Sequence, residues 1–269
     1  MPVRGNVVCS ALSFVRNGGL QFRHCLESAL FCREHVVVDG GSTDETLALA
    51  AEYGCRVISQ NVQYLDSSGR IIDFAGITNQ AIAAAQFPWM LLISSDEILD
   101  ATLCEAIQSA CENTNPGVFA FQRIVQVDGI QKPFSSVMSN QQIRLFHRDA
   151  IHGFVKRVHE RPSLRGGIIP QVLPGWMNIP FGPATDMLQK HNWYLQLEIE
   201  SLPENFGYSA WIKMTLNKLL RMIWRLFRII YIRATKPWSQ CLPLRYEWLD
   251  IRYILLLIVK SFRRNLHFI

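Results

Sequence analysis

The segment His35–Thr46, HVVVDGGSTDET, constrains this chain more than any other. Val36–Val38 form a β-branched apolar run, which suits a buried strand, and Gly40-Gly41 stops that strand in a turn. Ser42 or Thr43 is expected to cap the following helix, with Asp44 and Glu45 in its first turn, where the positive end of the helix favours acids. A carboxylate left at the end of an apolar strand, Asp39, can come close to a ligand because the two glycines put no bulk beside it. The same residue equally suits a turn aspartate that only caps the next helix.

The pattern repeats over the first hundred residues. Val7–Val15 reads as a buried strand, Leu20–Phe31 as a helix, and Cys55–Ser59 as a short strand. Ile77–Gln86 reads as an Ala-rich helix, Trp89–Ser94 as a strand, Asp100–Cys111 as a helix and Gly117–Val127 as a strand. Alternation of this kind predicts an α/β fold, with a mainly parallel sheet and helices on both faces. In such sheets ligands bind at the carboxyl ends of strands, so Asp39 and Asp96 can face one crevice. Gln142–His147 and Phe154–Glu160 are expected to flank it. Asp186–Glu200 has a helical pattern, and Pro203 with Asn205–Gly207 marks a boundary. We therefore divide the chain at residues 1–206 and 207–269.

Hydrophobic content of 49% and charged content of 18% exclude a disordered chain. Charge is unevenly spread. Residues 211–269 carry twelve Lys/Arg against two acids, Glu247 and Asp250, leaving fifteen basic and twenty acidic residues for the rest. The seven cysteines show no zinc-type spacing and read as reduced thiols. With no signal-peptide pattern at the start, a cytoplasmic location is expected. GxGxxG, P-loop and GxSxG patterns do not occur, which argues against dinucleotide oxidoreductases, P-loop kinases and α/β-hydrolases.

Five further side chains can carry chemistry. Asp96 and Glu97 follow the apolar run WMLLIS, where acids are costly unless they face a crevice, a metal or solvent. Oxygen ligands at such a strand end suit Mg²⁺ or Mn²⁺ bridging to a diphosphate. An N-terminal cap for the helix near Asp100 explains them as well. His159-Glu160 offers an imidazole for a metal or proton and a carboxylate base, though an ordinary surface pair reads the same way. Arg144, alternating with apolar neighbours, can clamp a phosphate or form a structural salt bridge.

Taken together, VVVDGGSTDET, TNQAIAAA and WMLLISSDEIL, in this order and spacing, resemble the family 2 inverting glycosyltransferases of the GT-A fold, a Rossmann-like α/β architecture. QQIRLFHRD, VKRVHERP and KHNWYLQLEIESLPEN resemble its bacterial subgroup that includes lipopolysaccharide-core β-glucosyltransferases. The likeness covers roughly residues 6–206. It implies a hexosyltransferase of cell-envelope biogenesis that moves a sugar from a nucleotide-diphosphate sugar, a UDP-sugar foremost, to a hydroxyl of a lipopolysaccharide-type or lipid-linked glycan. By position, Val15 and Asp39 would contact the nucleotide, Asn79 would lie near the donor, and Arg144 beside the phosphates. Asp96 would bind metal and diphosphate, with His159 as a further metal ligand. Glu160 or Glu97 would be the catalytic base, with His159 in the same loop. Two positions depart from the subgroup: Ser94 stands where the first acid of the DADE pattern is usual, and Gly18 where an acid follows the early Asn. A catalytically inactive sugar-nucleotide or glycan-binding relative therefore stays open. A nucleotidyltransferase is a third reading, with Val15–Gly19 only faintly resembling its loop.

The tail carries its own signal. Lys218, Arg221, Arg225 and Arg228 form one helical stripe among large apolar residues. No charge-free run approaches the roughly 18 residues needed to span a bilayer. The pattern fits helices peripheral on the inner face of the cytoplasmic membrane, or a helix pair packed on the domain with solvated cations. Nucleic acid is a poor partner, because the cations come with aliphatic rather than polar neighbours.

Overall fold

The computed structural model describes residues 2–113, 115–127, 130–131, 133–135, 140–203 and 206–266. The strands are β1 (Val7–Val15), β2 (Cys32–Asp39), β3 (Arg56–Ser59), β4 (Trp89–Leu92), β5 (Ile98–Leu99), β6 (Val118–Val127), β7 (Ile130–Gln131), β8 (Asn140–His147), β9 (Ile151–Val155), β10 (Arg161–Leu164) and β11 (Gln171–Pro180). The helices are α1 (Gly19–Ser28), α2 (Thr46–Glu52), α3 (Phe74–Ala84), α4 (Ala101–Glu112), α5 (Ala184–Glu200), α6 (Tyr208–Thr235) and α7 (Leu244–Leu266). Asn205, one of the boundary residues expected from sequence, lies outside the described residues.

The main sheet runs β3-β2-β1-β4-β8-β6-β11-β5, with β7 beside β6. Strands β3, β2, β1 and β4 are mutually parallel, and β8 turns antiparallel against β4 and β6. Successive residues of the central strands feed two cores on opposite faces. Ala11, Val37 and Leu91 join Phe22, Leu26, Leu49, Leu103 and Ile107 from α1, α2 and α4. Leu12, Val36, Val38, Met90 and Leu92 join Ala75, Ile77 and Ala81 from α3. Burial on both faces explains why these strands read as unbroken apolar runs.

Two local expectations are corrected. Neither Ser42 nor Thr43 caps α2, which starts at Thr46: Asp44 Oδ1 accepts the Thr46 amide at 3.1 Å. Ser42 Oγ instead accepts the Asn17 amide at 3.0 Å and ties two loops together. Strand β11 was not expected, because Pro174-Gly175 reads as a breaker. Gly175 takes a φ of +86° there, and a Cβ would collide with the Leu103 amide at the start of α4. The Pro-Gly pair lets this strand pass close to a helix end.

The chain divides into two compact units, Met1–Ile124 with Ser139–Ile179, and Val125–Met138 with Pro180–Ile269. Helix α5 therefore belongs with the tail helices. The second unit has a small core of Val127, Leu242, Tyr246 and Leu249, flanked by Phe181, Met187 and Leu188. Helix α6 lies against α7, joined by Trp211 Nε1 to Ile258 O at 3.1 Å and Arg225 Nη2 to Asp250 Oδ2 at 2.5 Å. Among the described residues no helix is long and apolar enough to cross a membrane.

Candidate active site

The site is built at the carboxyl edge of the parallel strands. Val15 stands opposite Asp39, and Asp39 opposite Ser59, so three strands end level. Strand β4 leaves the same edge: Ser13 Oγ donates to Ile93 O at 2.8 Å, and the Ile93 amide donates to Leu12 O at 3.0 Å. Its continuation, Ser94-Ser95-Asp96-Glu97, folds into a turn in which the Glu97 amide donates to Ser94 O and the Ser94 amide to Glu97 Oε2.

Asp39 is nearly buried. Its carboxylate accepts the Gly41 amide at 2.9 Å and the Ser42 amide at 3.2 Å, so it holds its own turn together. That turn requires both glycines. Gly41 has a φ of +82°, and a Cβ on Gly40 would press on Gln60 and Arg16 at 3.1–3.3 Å. The loop after β1 is laced to it, with Gly18 N donating to Thr46 Oγ1 at 2.8 Å and Thr43 N to Asn17 Oδ1 at 2.8 Å. A side chain at Gly18 has no room, since its Cβ would sit 2.8 Å from both Phe22 and Val15. Packing therefore accounts for the missing acid at Gly18.

Glu97 and Arg144 are paired with each other. Glu97 is 1% exposed and accepts Arg144 Nη2 at 2.8 Å and Arg123 Nη2 at 3.0 Å on one oxygen. Burial pushes its carboxyl up, but Arg144, then Arg123, then the Ser94 amide more than offset this and hold it below the usual range. A carboxylate so held is a poor base, and its ionic hydrogen bond to Arg144 takes up part of the guanidinium expected beside phosphates. Both are members of a buried ion cluster. Arg123 completes it and was missed. Its charge within the apolar alternation of FAFQRIVQV is the same signal that drew attention to Arg144.

Asn79 is bonded to β9. Its Oδ1 accepts the Phe154 amide at 2.8 Å and its Nδ2 donates to Phe154 O at 3.0 Å. Both ends of the amide thus clasp β9, and the Phe74 amide holds Arg157 O at 2.9 Å. Helix α3 in this way anchors the hairpin of β9 and β10, whose loop carries His159 and Glu160. Within that loop Lys156 and His159 adopt φ of +77° and +55°, left-handed conformations that cost non-glycine residues about 1 kcal/mol or more. Strain retained in a loop anchored on two sides marks a fixed geometry rather than a floppy one.

The anchored loop delivers Glu160 to the ion cluster. Burial raises its carboxyl above the usual range, and its own backbone amide and the charges of Arg144, His159 and Arg123 do not cancel that effect. Arg123 in turn feels Asp96 as well as Glu97. Asp96, Glu97, Arg123, Arg144 and Glu160 therefore share one field at the strand ends, with His159 at its margin. One carboxylate is held ionised and another is biased toward its protonated form, a division that suits acid–base chemistry. Among the described residues no three His, Cys, Asp or Glu side chains are grouped to hold a metal alone. Asp96 and His159 are of the donor types that a divalent cation takes together with water and substrate phosphates.

Carboxylates and guanidiniums gathered at the carboxyl ends of parallel strands stand where α/β sheets of this kind bind their ligands. The glycosyl transferase family 2 model matches residues 17–160, just over half of the chain, and the chain belongs to that family. Two curated relatives are each 29% identical. One is a TPR repeat-containing protein of Synechococcus elongatus, matched over 53% of this chain and 32% of its own length. The other is the lipopolysaccharide core biosynthesis glycosyltransferase LpsC of Rhizobium meliloti, over 55% and 52%. The chain thus spans a third to a half of these relatives. Among solved structures it is similar to the mannosyltransferase PcManGT of Pyrobaculum calidifontis in complex with GDP-Man and Mn²⁺, with a TM-score of 0.52 at 13% identity, covering 94% of this chain and 86% of that one. At that identity the likeness establishes the GT-A fold alone.

Proposed function

We propose that the chain is an inverting, nucleotide-sugar-dependent glycosyltransferase whose acceptor is a hydroxyl of a lipopolysaccharide-type or other cell-surface glycan. The observation that carries it is half-buried Glu160, held by the loop that Asn79 anchors, in the field of Arg123 and Arg144 that also reaches Asp96 at the carboxyl edge of the sheet. Family membership and the similarity to a lipopolysaccharide-core enzyme support the substrate class.

In this reading the nucleotide lies along the loops after β1 and β2, beside Val15 and Asp39. Asp96 and His159 would hold a Mg²⁺ or Mn²⁺ ion, which would supply charge stabilisation for the departing nucleotide. Glu160 takes the proton from the acceptor hydroxyl as the oxygen attacks the anomeric carbon from the side opposite the diphosphate. One displacement inverts the configuration there. A base with a raised pKa is matched to that step near neutral pH. Arg123 and Arg144 keep the field positive where the diphosphate charge sits, while Glu97 prevents two guanidiniums from being buried against each other uncompensated. The membrane-borne acceptor places the protein on the cytoplasmic face of the membrane.

The test is release of nucleoside diphosphate from UDP-, GDP- and dTDP-sugars with Mn²⁺. Turnover of one donor, abolished in Asp96→Ala and Glu160→Gln, is expected. The inactive-relative reading draws on Ser94 and the closed space at Gly18. It wins if a donor binds and no donor is ever turned over, hydrolysis included.

A further inference from the structure

The second unit turns several of its charges inward and leaves many large apolar side chains outward. Lys218 Nζ meets Glu198 at 3.6 Å, and Arg225 meets Glu247 at 3.2 Å and Asp250 at 2.5 Å. Two of the four cations in the expected solvent-facing stripe, Lys218 and Arg225, are therefore turned into the helix bundle. Arg225 consumes both acids of the tail. What α6 presents outward instead is Ile212, Leu216, Leu220, Ile223, Phe227 and Ile230, spaced by four or three residues along one face of the 28-residue helix. Trp224 is 71% exposed and Tyr231 66%, beside that strip. Helix α7 adds exposed Leu244, Trp248, Leu255 and Val259 at helical spacing. A continuous apolar strip along about 27 Å of helix exceeds the scattered exposure of an ordinary surface.

We propose that this outer face of α6, continued by α7, is the docking surface for an anionic lipid bilayer. The charge around it selects the occupant. Lys213, Arg221, Lys236, Arg245, Lys260 and Arg263 are exposed, whereas on α6 and α7 Glu247 is buried and Asp250 half-buried, each within reach of Arg225. Exposed cations of one sign beside a strip with tryptophan and tyrosine match a negatively charged headgroup layer over hydrocarbon. A second copy of this chain would bring six like charges against six. The strip also extends sideways through Trp224 and Tyr231, wider than the two-position seam of a coiled-coil dimer. The helices then lie in the interface rather than crossing it, in keeping with their charge content. The proposal rests on the membrane-borne acceptor of the reading above and adds which surface meets the membrane.

The experiment is sedimentation of the full-length protein with vesicles of phosphatidylcholine alone and of phosphatidylcholine with phosphatidylglycerol, without nucleotide. Binding at least tenfold stronger to the anionic vesicles and weakened by salt is expected, with tryptophan emission quenched by brominated lipid. Leu220→Glu with Phe227→Glu should lose that binding while circular dichroism and the thermal shift with UDP and Mn²⁺ stay at wild-type values. Equal binding to both vesicles, or none, would overturn the proposal. So would a dimer in size-exclusion chromatography that the double variant splits. Because no donor enters the assay, its failure leaves the transferase reading standing, and a failed turnover assay leaves this one.

Discussion

Both compact units bury an ion cluster, and the clusters differ in what they leave over. Around Glu97 two guanidiniums meet one buried carboxylate, so positive field remains to act on Asp96 and Glu160 at the sheet edge. Around Arg225 one guanidinium meets two carboxylates, and nothing acidic on α6 or α7 is left fully exposed. In the proposed reading the first arrangement prepares a site for an anion and a proton. The second holds helices in register and frees their outer faces to be apolar. The same kind of interaction thus serves chemistry in one unit and surface presentation in the other.

Substitutions can separate these roles. The largest effect expected is on transfer: Glu160→Gln should lower kcat by about 10²–10⁴-fold, the range for losing a general base. The same change should make the fold more stable at neutral pH. Glu160 binds its proton more tightly folded than unfolded, so its contribution is full below the ordinary carboxylate value and is lost as pH rises through the folded value. Thermal unfolding across pH should therefore show wild type falling behind the variant from weakly acidic to neutral pH. A variant less stable than wild type at pH 7 would contradict this.

Next comes Glu97→Gln, which leaves Arg123 and Arg144 facing each other while buried. A loss of about 3–5 kcal/mol in urea unfolding is expected, the range for removing one partner of a buried pair. Arg225→Met should cost less, about 1–2 kcal/mol, because Asp250 is 36% exposed and keeps much of its hydration. If the two variants cost the same, the contrast between the clusters fails. Smallest in stability is Asn79→Ala, at about 1–2 kcal/mol for two hydrogen bonds to Phe154. Its diagnostic is kinetic: acting only by placing the Glu160 loop, it should lower kcat while UDP binding stays unchanged.

The sequence was most legible where structure is local and burial is two-sided. Val36–Val38 and the alternation up to Val127 needed only periodicity and turn chemistry, whereas the cap of α4 is Asp100, whose Oδ1 accepts the Leu103 amide at 2.9 Å, rather than Asp96 or Glu97. Strand β11 was hidden by Pro174-Gly175, whose purpose depends on a helix distant in sequence. The site was legible as a set of residues and not as a set of bonds. Glu97, Arg144 and Asn79 have the composition of ligand-binding groups, but each is committed to a partner 47 or 75 positions away. Spacing cannot reveal such pairings. Likewise the stripe Lys218–Arg228 was visible, yet only the packing of α5 and α7 shows that two of its cations point inward.

Titration calorimetry of UDP with Mn²⁺ into wild type and Asp96→Ala tests the central claim most directly. The account predicts metal-dependent binding to wild type, weakened at least tenfold by the substitution. Equal binding by the two proteins, or no binding by wild type, would contradict it.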